Sequence, residues 1–159
     1  MDIRERSCCF TGHRIIMSEH SDVIDGKLDA VIAELYQKGI RDFITGGALG
    51  FDTLAAQAVL RARMNTGDLR LVLALPCREQ AKNWHKRDIK IYNDIIEAAD
   101  EVIYVSEEYT AGCLLRRNRF MVDNSSYCVF YLTRTRGGTA YTVRYALENK
   151  IEMCNVITV

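Results

Sequence analysis

The stretch Thr45-Gly46-Gly47-Ala48-Leu49-Gly50-Phe51-Asp52 combines three glycines with an acid at the head of an alanine-rich run. Residues of this kind at this spacing suit the holding of an anion. A helix N-terminus presents unpaired N–H groups and the positive end of a dipole. Glycine lets a phosphate approach that backbone closely. Two further turns have the same character, Thr11-Gly12-His13-Arg14 and Arg136-Gly137-Gly138-Thr139. Arg116 and Arg119, at 3-then-4 spacing with Asp123, are the candidate cations, with Arg14 a further one. That spacing places the side chains on one helix face, and guanidinium groups clamp phosphate bidentately. Arg117, Arg134 and Arg136 extend the basic concentration.

Each feature also has a structural reading. Gly46, Gly47 and Gly50 suit a tight turn and close helix packing. Asp52 suits helix capping, hydrogen bonding to a ribose hydroxyl, or positioning of water, and it is a candidate catalytic group. A carboxylate beside a phosphate costs Coulomb energy, so Asp52 is not expected to face the phosphate itself. Arg119 and Asp123 suit a surface ion pair worth under about 1 kcal/mol. Trp84 suits core packing or stacking on a base, and His13 suits a turn hydrogen bond. The glycine stretch is not a P-loop, because no Gly-Lys-Ser/Thr follows it. Thr45 occupies the first glycine position of a dinucleotide fingerprint, and Leu75-Pro76-Cys77 ends the third strand without a ribose-binding acid. A nicotinamide dehydrogenase is therefore disfavoured. No Ser-His-Asp or Cys-His set follows from the spacings.

The elements that must position these residues alternate. Apolar runs predict strands at Cys8–Phe10, Asp42–Thr45, Leu69–Leu75, Glu101–Val105, Tyr127–Thr133 and Met153–Val159. Leu69–Leu75 is apolar almost throughout, as a strand buried on both faces requires. Helical patterns fill the gaps at Asp22–Lys38, Leu49–Arg63, Glu79–Ala99, Cys113–Asp123 and Thr139–Asn149. Strand-helix alternation predicts an α/β fold, a single doubly wound, mostly parallel sheet flanked by helices over residues 1–159. In such a sheet, ligands bind outside the carboxyl ends of the strands, where strand order reverses. All three turns are expected on that edge.

Composition sets the outer frame. The 159 residues suit one core, 48% of them hydrophobic and 26% charged. Lys+Arg and Asp+Glu balance at 21 each, so no bulk attraction to nucleic acid or membrane is expected. No apolar run is long enough for a membrane span, and no signal peptide is expected, which points to the cytoplasm. Six cysteines without CxxC spacing suit buried thiols, and three dispersed histidines make a zinc site unexpected. No cofactor is identified, and homo-oligomerisation is compatible with the sequence.

Phe10-Thr11-Gly12-His13-Arg14, Thr45 through Asp52, Leu75-Pro76-Cys77-Arg78-Glu79-Gln80 with Trp84, Arg116 through Asp123, and Gly137-Gly138-Thr139 together resemble the YpsA-like family of the SLOG superfamily. The resemblance runs in order through nearly the whole chain. It implies a bacterial, cytoplasmic, Rossmann-like domain that binds a nucleotide or nucleotide-derived ligand such as an ADP-ribose-like molecule. It also implies a sensing or regulatory role, linked in some members to cell division. The superfamily's glycine turn and acid fall on Gly46, Gly47, Gly50 and Asp52, and its second turn on Gly137, Gly138 and Thr139. Related LOG enzymes cleave nucleoside monophosphates with an Arg–Glu pair, making an N-glycosidic hydrolase the alternative. Here Ala140-Tyr141-Thr142-Val143-Arg144 supplies no glutamate before Glu148. DprA, in the same superfamily, makes nucleic-acid binding the second alternative. On this reading Thr11, Gly12, Arg14, Gly46, Gly47, Gly50, Arg116, Arg119, Gly137, Gly138 and Thr139 hold the ligand, and Asp52 reads its ribose.

Overall fold

Six short strands form one sheet in a computed structural model that describes residues 3–158. In chain order they are β1 (Ser7–Gly12), β2 (Asp42–Thr45), β3 (Arg70–Leu75), β4 (Glu101–Tyr104), β5 (Tyr127–Tyr131) and β6 (Glu152–Asn155). The spatial order is β4-β3-β2-β1-β5-β6, and all five pairings are parallel. The chain therefore builds outward from β1 to one edge, then returns to β1's other side. The order reverses between β1 and β5, which places the topological switch point there.

Two-residue periodicity in the strands explains the two layers. Cys8 and Phe10, Phe43, Leu71, Leu73 and Leu75, and Val129 and Tyr131 face one side. Cys9, Ile44, Val72, Ala74 and Cys128 face the other. The first face is covered by α2 (Ile24–Gln37), α3 (Phe51–Thr66) and α4 (Lys86–Ala98). The second is covered by α5 (Cys113–Asp123) and α6 (Gly138–Glu148). Both faces of the central strands are dry, so their runs are apolar without alternation. A four-residue helix, α1 (Ser18–Ser21), precedes α2. Among the described residues, no helix is long and apolar enough to cross a membrane. Five of the six cysteines are buried, and all six are free thiols.

Several boundaries differ from the sequence expectation for local reasons. The helix expected from Glu79 begins only at Lys86. Residues 79–84 instead turn on Lys82 N–H to Glu79 C=O and Trp84 N–H to Ala81 C=O bonds, and the His85 side chain caps α4 by accepting the Arg87 N–H at 3.2 Å. The strand expected to reach Thr133 stops at Tyr131, because the Thr133 N–H donates to His13 Nε2 at 3.0 Å rather than to a strand. The last strand ends at Asn155 and passes into a 3-10 turn, Val156–Thr158, and Val159 lies outside the described residues. The helix expected over Asp22–Lys38 starts two residues later, at Ile24.

Beneath the switch point the core is aromatic. Phe51 stacks on Tyr131 at 5.9 Å between centroids, and Phe10 on Phe43 at 6.1 Å. Each such pair adds about 0.5–1.5 kcal/mol to the burial of its rings. Gly12 must be glycine here, since a Cβ would overlap the Phe51 ring. The Tyr131 hydroxyl accepts the Met17 N–H at 3.1 Å and meets His20 Nδ1 at 2.8 Å. That contact pins the β1–α1 connection, residues 13–17, over β5.

Candidate functional site

His13 draws the three turns together. Its ring accepts the Thr133 N–H from the turn after β5, and its own carbonyl accepts the Phe51 N–H at the start of α3. It is 5% exposed, and burial together with Arg134 holds its pKa below the usual value. Neutral imidazole is the form that can accept a hydrogen bond. The turn hydrogen bond expected from the sequence is thus present, and together with the carbonyl contact it links all three turns.

Between these turns, at the carboxyl edge over β1 and β5, lies a cavity of about 600 Å³. Such a volume is in the range of small-molecule sites. Its charged lining is Arg14, Arg117, Arg134, Arg136 and Asp52, four cations against one carboxyl. Thr11, Gly12, Gly138 and Thr139 supply small and polar surface, and Ile15 and Leu114 an apolar wall.

The start of α6 opens into this cavity. Gly137 caps it without a side-chain hydrogen bond, at φ 99°, a backbone geometry that favours glycine. The first backbone bond of the helix runs from the Tyr141 N–H to the Gly137 carbonyl. The N–H groups of Gly138, Thr139 and Ala140 precede it and have no partner within the helix. A Cβ at Gly138 would meet nothing within 4 Å, so this backbone is open to a ligand.

Asp52 and Arg117 form the cavity's inner wall. Asp52 is 5% exposed, and its Oδ2 accepts the Ala48 N–H at 3.2 Å. Burial pushes its carboxyl up to about 6, against the opposing pull of Arg117, the Ala48 N–H and Arg14. Arg117 is also buried, and burial lowers its guanidinium from the usual value while Asp52 opposes that shift. Arg117 Nη1 donates to the Gly46 carbonyl and, at 3.5 Å, to the Ala74 carbonyl, and Nε donates to Asn118 Oδ1 at 2.8 Å. These bonds fix its orientation.

Of the arginines on α5, Arg117 rather than the expected Arg116 and Arg119 lines the cavity. Arg116 is exposed and donates to Ser106 Oγ at 2.5 Å, and Arg119 is exposed and donates to the Tyr141 hydroxyl at 3.4 Å. Neither is on the cavity lining, whereas Arg117 is. Asp123 accepts the Tyr145 hydroxyl at 2.7 Å in place of the expected ion pair with Arg119. A signal for Arg117 was present: it lies four residues after Cys113 and four before Met121, both buried, so it shares the inward face of α5.

Most of the first glycine turn also lies away from the cavity. Gly46, Gly47 and Gly50 are off the lining, and only Ala48 and Asp52 of that stretch reach it. A Cβ on Gly46 would lie 2.6 Å from Arg117 Nη1, and one on Gly47 2.5 Å from Leu75 Cδ2. One on Gly50, at φ 76°, would overlap the Arg14 carbonyl. These glycines therefore seat Arg117 and the Arg14 loop against α3. Gly137 is likewise off the lining and acts as the cap of α6. Of the expected ligand residues, the structure brings together Thr11, Gly12, Arg14, Asp52, Gly138 and Thr139. A separate groove of about 470 Å³ between α2 and α3, lined by Ile32, Tyr36, Arg61 and Leu69, holds none of them.

A family model for YpsA, described as the YspA SLOG family, matches residues 11–158. The chain belongs to this family. Among relatives of this YspA SLOG member, the uncharacterized SPbeta prophage-derived protein YoqJ of Bacillus subtilis is 32% identical over 133 residues, 76% of this chain and 78% of YoqJ. The UPF0398 protein BH1768 of Halalkalibacterium halodurans is 30% identical over 122 residues. That match covers 75% of this chain and 65% of BH1768. Solved structures share the fold. DNA processing protein A from Streptococcus pneumoniae superimposes with a TM-score of 0.67 at 13% identity, over 95% of this chain and 50% of that one. The Helicobacter pylori protein, solved for its single-stranded DNA binding mode, gives 0.65 at 17% identity, over 95% and 65%. The family member described here thus spans half to two thirds of those chains.

Proposed function

We propose that this protein binds a nucleotide or nucleotide-derived ligand in the switch-point cavity, in a sensing or regulatory role in the cytoplasm. The observation that carries this reading is the meeting of four arginines, a raised carboxyl and the open start of α6 around one cavity of about 600 Å³. The ligand's phosphate accepts from the Gly138, Thr139 and Ala140 N–H groups, where the dipole of α6 adds to the attraction. Arg134 and Arg136, both exposed, close over it bidentately. Arg14 also lines the cavity. Asp52, partly protonated near neutral pH, donates to a ribose hydroxyl without the full repulsion an ionised carboxylate would exert on phosphate. The test is a thermal-shift and calorimetric panel of nucleotides and ADP-ribose. A ligand at 100 times its Kd is expected to add about 2.7 kcal/mol, or roughly 5–10 °C in Tm for a chain of this length. No shift with any member of the panel would overturn the reading.

Asp52 supports a second reading, hydrolysis of a nucleotide's N-glycosidic bond. A carboxyl at about 6 in a ligand cavity suits proton transfer near neutral pH. Against it, α6 carries no acid in its first turn. Free base released from nucleoside monophosphates, and abolished by Asp52→Asn, would put this reading first. The DNA processing proteins suggest a third, single-stranded DNA on the exposed arginines 116, 119, 134 and 136. It predicts affinity falling steeply with salt.

A further inference from the structure

A second cavity of about 580 Å³ adjoins the first. The two share Arg14 and Leu114 in their linings, so Arg14 stands at the neck between them. The second lobe opens at the carboxyl end of β3, where Pro76 follows Leu75, and so lies on the same edge of the sheet. Its chemistry differs from that of the first. Apart from Arg14, its charged residues are Glu79 and Lys82, which pair with each other at 3.6 Å. The remainder is aromatic, amide and apolar: Trp84, Tyr109, Gln80, Asn83, Pro76 and Leu114.

The aromatic surface is set in place. Trp84 meets the Tyr92 ring edge-on, 5.2 Å between centroids and 75° between planes, and Tyr92 is rooted in the main core. Tyr109 is 65% exposed at the cavity. Gln80 is anchored by donating to the Gly46 carbonyl at 3.3 Å, which ties this lobe to the turn that seats Arg117. A cleft with four arginines at one end and paired charges, rings and amides at the other fits a ligand with an anionic end and a planar end.

We propose that the second lobe is a base-stacking subsite: it takes the ring of the nucleotide whose phosphate lies at the start of α6. Trp84 and Tyr109 provide the stacking surfaces, the Asn83 amide faces the base edge, and Arg14 spans the junction between base and phosphate. The inference rests on the nucleotide reading of the first cavity. It assigns Trp84 a role in ligand binding beyond packing on Tyr92.

Trp84 is the only tryptophan in the chain, so its fluorescence reports on this lobe directly. The full chain is titrated with ribose 5-phosphate and with the four 5′-ribonucleoside monophosphates, following tryptophan emission and thermal stability together. Ribose 5-phosphate is expected to stabilise the fold without altering the emission. At least one nucleotide is expected to do both, with a common midpoint. Trp84→Ala is expected to weaken that nucleotide about 5- to 150-fold, the range for loss of one base–aromatic stack, and to leave ribose 5-phosphate unchanged. Trp84→Phe keeps a ring and retains most of the affinity, which separates stacking from misfolding should the alanine variant be unstable. A nucleotide that stabilises the protein while leaving the emission unchanged, and that binds Trp84→Phe and Trp84→Ala as tightly as wild type, overturns the subsite alone. If neither ribose 5-phosphate nor any nucleotide stabilises the protein, the nucleotide reading itself falls and the subsite with it.

Discussion

Replacing Asp52 with asparagine is expected to stabilise the protein at neutral pH. Asp52 is 5% exposed, and burial raises its carboxyl from 3.8 to about 6 even with Arg117 and the Ala48 N–H acting in the other direction. In the unfolded chain the same group ionises near 3.9. Holding it ionised in the fold at pH 7 therefore costs about 3 kcal/mol, at about 1.36 kcal/mol per pH unit. The influence of Arg117 is already contained in the raised value, so no separate loss of ion pairing is added. The sign follows from proton counting. Between pH 4 and 6 the folded state binds more protons at this site than the unfolded state, so its contribution is full below about 4 and is lost as pH rises through about 6. His13 acts oppositely: its lowered pKa makes acidification through the usual histidine range destabilising. Wild-type stability alone thus mixes two trends, whereas the difference between Asp52→Asn and wild type isolates Asp52. Urea unfolding at pH 7, 6, 5 and 4 should show the variant ahead by up to about 3 kcal/mol at pH 7, with the gap closing by pH 4. A variant less stable than wild type at pH 7 would mean the ionised carboxylate is favourably paired, and the reasoning would be refuted. A destabilising acid retained in a ligand cavity is what a functional site predicts.

Further outcomes follow from the same geometry. Arg134→Ala and Arg136→Ala should each weaken nucleotide binding about tenfold or more by calorimetry, while changing unfolding free energy by no more than about 0.5 kcal/mol, since both side chains are exposed. Gly50→Ala should cost about 2–4 kcal/mol in urea unfolding, combining strain at φ 76° with overlap on the Arg14 carbonyl. Gly67→Ala, at the same φ of 76° but with nothing within 4 Å, should cost only about 1–2 kcal/mol, and equal costs would contradict the close packing at Gly50. Nucleotide binding near pH 6.5 should take up a fraction of a proton, as the arriving phosphate favours protonated Asp52, measured by calorimetry in buffers of different ionisation enthalpy. Asp52→Asn should abolish that uptake.

The fold was legible because the dry strands declare themselves. Leu71 to Leu75 and Cys8 to Phe10 are apolar without alternation, as strands covered on both faces are. Glycine turns after β1, β2 and β5 were legible as features of the carboxyl edge of the sheet. Their division of labour was not. Whether a glycine faces a ligand or a neighbouring side chain depends on which guanidinium or carbonyl lies opposite, and the Arg117 and Arg14 contacts of Gly46 and Gly50 span 71 and 36 positions in sequence. The placement of the α5 arginines has the same origin. Spacing shows which residues of α5 share a face, but only packing on β3 and α6 decides which face turns inward. Trp84 shows the limit in another form, since its dual position, against Tyr92 and on a cavity wall, requires the irregular turn over residues 79–84.

The most direct test of a ligand site at the switch point is an amide NMR titration of isotope-labelled protein with AMP. Saturable shifts are expected at Gly12, Arg14, Gly138, Thr139 and Ala140, with the largest at the start of α6. Shifts confined to Tyr36, Arg61 and Leu69 in the α2–α3 groove, or no shifts at all, would contradict the assignment of the cavity.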